Sequence, residues 1–192
     1  MRAALNPALL YSAYSQGYFP MPDEAGDGIA FYRPDPRAVL PLDAFHVSRS
    51  LKKVLKRQPY RISFDEDFAG VIAACANRPQ TWINAEFQRA YCELFHLGLA
   101  HSVEVWEGSL LVGGSYGVHF GAAFFAESMF HRQSNASKIA LYYLCQHLRT
   151  AGFLLLECQF MTEHLRSLGV QELSDSDYMT RLAEALAVPA AF

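Results

Sequence analysis

The chain has 192 residues, 16 Lys and Arg against 19 Asp and Glu for a formal charge of −3, and is 52% hydrophobic and 14% aromatic. That is enough apolar material for the core of one ordinary domain. No apolar run nears the ~20 residues of a membrane helix, and the start has neither the apolar stretch nor the cleavage site of a signal peptide. Four cysteines stand singly in apolar surroundings and seven histidines show no ligand spacing, so reduced buried thiols in a cytoplasmic protein, with no metal site, are expected.

In chain order, residues 5–16 read as a short helix closed by Gly17. The prolines at 20, 22, 34 and 36, with a Gly/Asp-rich stretch between them, argue against regular structure and for a packed connecting segment. Ser48 is a good N-cap for a helix that stops before Pro59. On that helix Arg49, Lys52, Lys53, Lys56 and Arg57 fall at i, i+3, i+4, i+7 and i+8, one contiguous face, while Leu51, Val54 and Leu55 lie opposite. No Asp or Glu occurs from 46 to 61. A merely solvated face usually mixes signs, and like charges this close repel unless a polyanion uses them. A solvated basic face is the other reading of the pattern.

Residues 60–64 alternate as a strand and 65–76 read as a helix. Trp82 stands in a loop before an amphipathic helix over 85–97. The period then becomes two: strands over 101–106, 110–118 and 122–130 form an antiparallel meander. A helix over 135–149, a strand over 153–159, a short helix over 164–168 and a last helix capped by Asp175 or Asp177 complete the chain. The class is α+β, helices on a mostly antiparallel sheet, in the element order of the acyl-CoA N-acyltransferase (GNAT) fold.

Chemistry-bearing candidates follow from this layout. Glu127 stands among Phe124, Phe125, Met129 and Phe130, where a carboxylate is costly unless it has a partner or a task; an outward-facing strand residue is the alternative. Glu157 and Gln159, two apart on one strand, are expected on one face, with Leu156 and Cys158 on the other.

Several stretches together resemble one family. They include Gly17-Tyr18-Phe19-Pro20, Pro34-Asp35-Pro36-Arg37, Thr81-Trp82-Ile83, Glu127-Ser128-Met129-Phe130, Asn135-Ala136-Ser137-Lys138, Cys158-Gln159 and Ser167-Leu168-Gly169. In order and spacing they look like the leucyl/phenylalanyl-tRNA–protein transferases over nearly the whole chain. The resemblance implies a small N-terminal region, here a shortened arm over 1–36, and a GNAT-like catalytic domain over 37–192. It implies a reaction without metal or cofactor that passes Leu, Phe or Met from aminoacyl-tRNA to a protein with N-terminal Arg or Lys, marking it for N-end-rule degradation. A monomer is the default expectation.

By the same resemblance Glu127 is the active-site glutamate, Gln159 receives the amine, and Glu157 stands where the family has an aspartate that polarises that glutamine. Trp82, Phe124, Met129, Leu141, Leu144 and Leu156 match the aminoacyl pocket, although each also reads as ordinary core. Arg49, Lys52, Lys53, Lys56 and Arg57 would grip the tRNA acceptor stem. Three departures stand out: Glu157 replaces Asp, Met21 stands where Trp is frequent, and residues usual before Leu5 are missing. Two rivals remain. An acetyl-CoA-dependent N-acetyltransferase needs a glycine-rich loop at the start of the helix after the meander, but this chain has Arg132-Gln133-Ser134-Asn135-Ala136-Ser137 there. A non-catalytic RNA-binding module would keep the basic helix alone.

Overall fold

The computed structural model describes residues 5–23, 28–79 and 81–192; the Gly/Asp-rich stretch over 24–27 lies outside them. The chain opens with α1 (Pro7–Ser15), whose first turn is capped by the Asn6 side chain accepting from Leu9 N–H, with Pro7 at the position that needs no donor. Two short strands follow, β1 (Phe19–Pro22) and β2 (Ile29–Tyr32), paired antiparallel as a separate two-stranded sheet. The proline-based expectation of no regular structure is therefore corrected. Asp23 N–H donates to Gly28 O, so the odd-numbered residues face the partner strand; Pro20 and Pro22 face away, where a missing N–H costs nothing.

The main sheet has seven strands in the order β4-β5-β6-β7-β8-β3-β9. These are β3 (Arg37–Val39), β4 (Arg61–Phe64), β5 (Ala100–Glu107), β6 (Leu110–Phe120), β7 (Ala123–His131), β8 (Leu155–Glu157) and β9 (Gln171–Leu173). Every pairing is antiparallel except β7 with β8. The α+β class with a mostly antiparallel sheet is as expected. Strands β3 and β9, three residues each, carry no periodicity and were invisible in the sequence.

Helices cover both faces. One face packs α1, α3 (Phe68–Ala76), α4 (Ala85–His96) and α7 (Asp175–Leu186) in a single apolar cluster. The other packs α2 (Arg49–Arg57), α5 (Ala136–Thr150) and the four-residue α6 (Glu163–Arg166). Gly113 sets the approach of α5: a Cβ there would sit 2.5 Å from Ala136 Cβ, so the helix start lies directly on β6. Helix α3 begins later than the pattern implied. Asp65, at φ 57, instead accepts from Ser102 N–H and contacts His101 Nδ1, and Asp67 caps the helix through Gly70 N–H.

Candidate active site

The parallel pair β7–β8 has only three registered positions, ending at Phe125 opposite Glu157. Beyond it β7 runs on to His131 while β8 stops, so the two chains part and a cleft opens. The cleft has a volume of about 290 Å³, at the small end of ligand sites. Its walls are Ala126, Glu127, Ser128 and Met129 from β7, Cys158, Gln159 and Phe160 after β8, and Phe19, Pro20 and Met21 from β1. Arg78, Trp82, Ser115, Leu141, Thr162, His164 and Leu165 complete them.

A bulge aims the carboxylate. Across β6–β7, Gly117 pairs with Ala126 and Tyr116 with Ser128, leaving Glu127 as the extra residue. Phe125 and Glu127 both turn toward the α1/α4 face. There Tyr14 of α1 donates to Glu127 Oε1 at 2.6 Å, Tyr91 of α4 donates to Oε2 at 2.9 Å, and the two hydroxyls lie 2.7 Å apart. Glu127 is 5% exposed, so it is not the outward-facing residue of the alternative reading. Burial lifts its pKa to about 8; the tyrosine hydrogen bonds oppose that rise and the Glu157 charge adds to it. The carboxyl is thus largely protonated at neutral pH and within reach of ionisation. Burial drives the pKa of Tyr14 and Tyr91 upward, so both stay donors.

Gln159 corrects an expectation. Strand β8 ends at Glu157, and Gln159 is a left-handed residue at φ 59, so the simple two-apart rule does not orient it. Its side chain still lines the cleft beside Glu127 and opposes the rise of that carboxyl's pKa, although its buried Nε2 makes no hydrogen bond of normal geometry. Glu157 does not line the cleft and does not touch the glutamine amide. Its Oε1 accepts Gln159 backbone N–H at 2.7 Å and pairs with Arg37 Nη1 at 3.1 Å, the two side chains being 0% and 1% exposed. The longer glutamate stem therefore fixes the backbone of the turn. Arg37 also donates to Gly17 O and lies over the rings of Tyr178, at 4.3 Å, and Phe19, at 5.2 Å. Burial raises the pKa of Glu157, and Arg37 opposes that rise.

Of the six expected pocket residues, Trp82, Met129 and Leu141 line the cleft. Phe124, Leu144 and Leu156 do not. Phe124 and Leu156 are registered on the parallel pair before it splays, and Leu144 lies one turn along α5 from Leu141, so all three are core behind the cleft wall. Cys158 lines the cleft, yet burial keeps its thiol protonated, which removes it as a nucleophile at neutral pH.

On α2 the basic face is as the spacing implied. Arg49, Lys52, Lys53, Lys56 and Arg57 are exposed, Leu51 is buried, and no acidic side chain among the described residues pairs with any of the five. The residues that sequence reasoning missed are Tyr14, Tyr91 and Arg37. A signal existed for the tyrosines: each sits on the apolar face of its helix, where a buried hydroxyl needs a partner.

A family model described as leucyl/phenylalanyl-tRNA protein transferase matches residues 39–183, and a model of that family's N-terminal domain matches residues 3–35. The leucyl/phenylalanyl-tRNA–protein transferase of Cereibacter sphaeroides is 52% identical over 190 residues, covering 98% of this chain and 89% of its own length. That of Ruegeria sp. is 52% identical over 189 residues, with coverages of 98% and 90%. Among solved structures, a GCN5-related N-acetyltransferase from Kribbella flavida aligns at a TM-score of 0.47 and 12% identity, covering 88% of this chain and 62% of that one. The protein is an enzyme of the aminoacyl-tRNA-dependent transferase class. More narrowly, the chain belongs to the leucyl/phenylalanyl-tRNA–protein transferase family.

Proposed function

We infer that the enzyme transfers Leu, Phe or Met from its tRNA to the α-amino group of proteins that begin with Arg or Lys, marking them for N-end-rule degradation. The observation that supports this most directly is the Glu127 carboxyl, clamped by Tyr14 and Tyr91 beside an apolar cleft. Met129, Trp82 and Leu141 suit an apolar side chain of variable shape, because methionine adapts to its guest. Discrimination among Leu, Phe and Met is then modest, since a methylene is worth only about 1–3 kcal/mol.

The aminoacyl ester is already activated, so the protein's task is to hold an amine against a carbonyl and manage two protons. The attacking nitrogen must lose a proton and the departing ribose oxygen must gain one. An α-amine has a pKa near 8. Glu127, protonated at neutral pH with its pKa at about 8, is matched to give its proton to the departing ribose oxygen and to take the amine's proton in its place. The unpartnered Gln159 amide is available to the reacting amine or the developing oxyanion. Arg37 and Glu157 hold the turn that presents it, and we read both as positioning residues.

The basic face of α2 grips acceptor-stem phosphates without reading sequence, as an enzyme serving several tRNAs requires. The arm over 1–36 then belongs to the catalytic unit rather than to a separate module, since it contributes Tyr14 and Met21. No described helix is long and apolar enough to cross a membrane. The same reading takes the enzyme as a cytoplasmic monomer. The test is direct: purified protein, radiolabelled Leu-tRNA or Phe-tRNA and a protein with N-terminal Arg, without ribosomes or acetyl-CoA. Label on the acceptor's N-terminus supports the reading. Bound tRNA without transfer would make the chain an RNA-binding module.

A further inference from the structure

The cleft does not end at Met129. A second depression of about 370 Å³ continues along β7, sharing Arg78 and Met129 with the cleft and lined further by Asn77, Phe130, His131 and Arg132. No acidic side chain lines it. Its two guanidinium groups are exposed and held by neutral acceptors only. Arg78 donates from Nε to Cys75 O and from Nη2 to Ser128 Oγ, both at 2.7 Å. Arg132 donates from Nη1 to Leu111 O at 2.9 Å and lies over the Phe130 ring at 5.5 Å. Among the described residues neither has a carboxylate partner, so both fix their geometry while keeping a full uncompensated charge. Anchoring lowers the entropy lost when a ligand binds, and a planar guanidinium on an aromatic ring is a usual platform for phosphate.

Arg132 also occupies the loop where a coenzyme A enzyme would cradle a pyrophosphate, and the glycines that would let a backbone approach are absent. A phosphate there must be met by side chains. We propose that this groove, through Arg78 and Arg132, holds the phosphodiesters of the single-stranded 3′ end of the donor tRNA, separately from the duplex phosphates gripped by α2. The assignment rests on the transferase reading. It explains how a flexible single strand is led to the cleft with its terminal ester in register: charge holds the phosphates and Phe130 offers a partly exposed ring beside them.

The experiment compares three Phe donors with a peptide bearing N-terminal Arg: Phe-tRNA, a 3′-phenylalanyl CCA trinucleotide, and phenylalanyl-adenosine, which has no phosphate. In the wild type, kcat/KM for the trinucleotide exceeds that for phenylalanyl-adenosine by roughly tenfold, with a salt dependence of about 0.7 in log–log slope for each phosphate held. Arg78→Gln and Arg132→Gln each reduce that ratio by roughly threefold and lower the slope, Arg132→Lys retains part of it, and Arg89→Gln on exposed α4 changes neither. A wild-type ratio near one, or a ratio that survives the double Arg78→Gln/Arg132→Gln change, overturns the proposal. If no donor supports transfer, Phe-tRNA included, the transferase reading falls and takes the groove assignment with it.

Discussion

Replacing Arg37 with Met keeps the length of the side chain over Tyr178 but leaves Glu157 buried without its cation. The pair is 3.1 Å apart and almost wholly shielded from water, so Coulomb screening by solvent is slight. Removing one member of such a pair costs about 3–5 kcal/mol, a large part of the ~5–15 kcal/mol that holds a domain folded. For a chain of this length that corresponds to a fall in Tm of roughly 6–20 °C. Urea unfolding followed by circular dichroism measures it. The deficit has a pH signature. Without Arg37 the folded pKa of Glu157, already raised by burial, rises further. The folded variant then keeps its proton where wild-type Glu157 has released it, so the deficit grows as pH rises above the wild-type folded pKa of that carboxyl. The double variant Arg37→Met/Glu157→Gln removes the orphan charge yet keeps an oxygen for Gln159 N–H, so it regains most of the stability. A single-variant deficit below about 1 kcal/mol, or a double variant no more stable than the single, would refute the reasoning.

Glu127→Gln tests the raised carboxyl: between the unfolded value of 4.5 and the folded value of about 8, wild-type stability falls with pH by up to about 1.4 kcal/mol per unit relative to the variant. Parallel pH–stability curves would mean that the carboxyl titrates normally. Gln159→Gly relieves a left-handed side chain, so stability holds or rises by about 1 kcal/mol while transfer drops by at least tenfold and tRNA affinity changes little. Normal turnover in that variant would remove the amide from the mechanism. Replacing Lys52, Lys53 and Lys56 together with Ala weakens tRNA binding and lowers its log–log salt slope by about 0.9 for each phosphate no longer neutralised, read by filter binding over a salt series. An unchanged slope would mean that the stripe is only a solvated face.

Local pattern settled what local physics governs. Ser48 capping, the cationic stripe on α2 and the alternating meander were legible because each is a matter of spacing within one element. Glu127 was legible as a costly carboxylate, but its partners were not. Tyr14 and Tyr91 lie 113 and 36 residues away in sequence, and the bulge that turns Glu127 toward them shows only in the β6–β7 register. The alternation rule put Glu157 and Gln159 side by side on one strand. Packing decided otherwise: Arg37, 120 residues from Glu157, captures that carboxylate, the strand stops, and a left-handed turn presents Gln159 to the cleft. Likewise Leu141 and Leu144 share one helix face in sequence, and only the splaying of β7 from β8 opens space beside one and not the other. Sequence by itself determined which faces are apolar, cationic or capped, because those follow from periods of two and 3.6. Tertiary structure alone decided which buried polar groups meet, because desolvation, ion pairing and cleft shape depend on atoms brought together from distant parts of the chain.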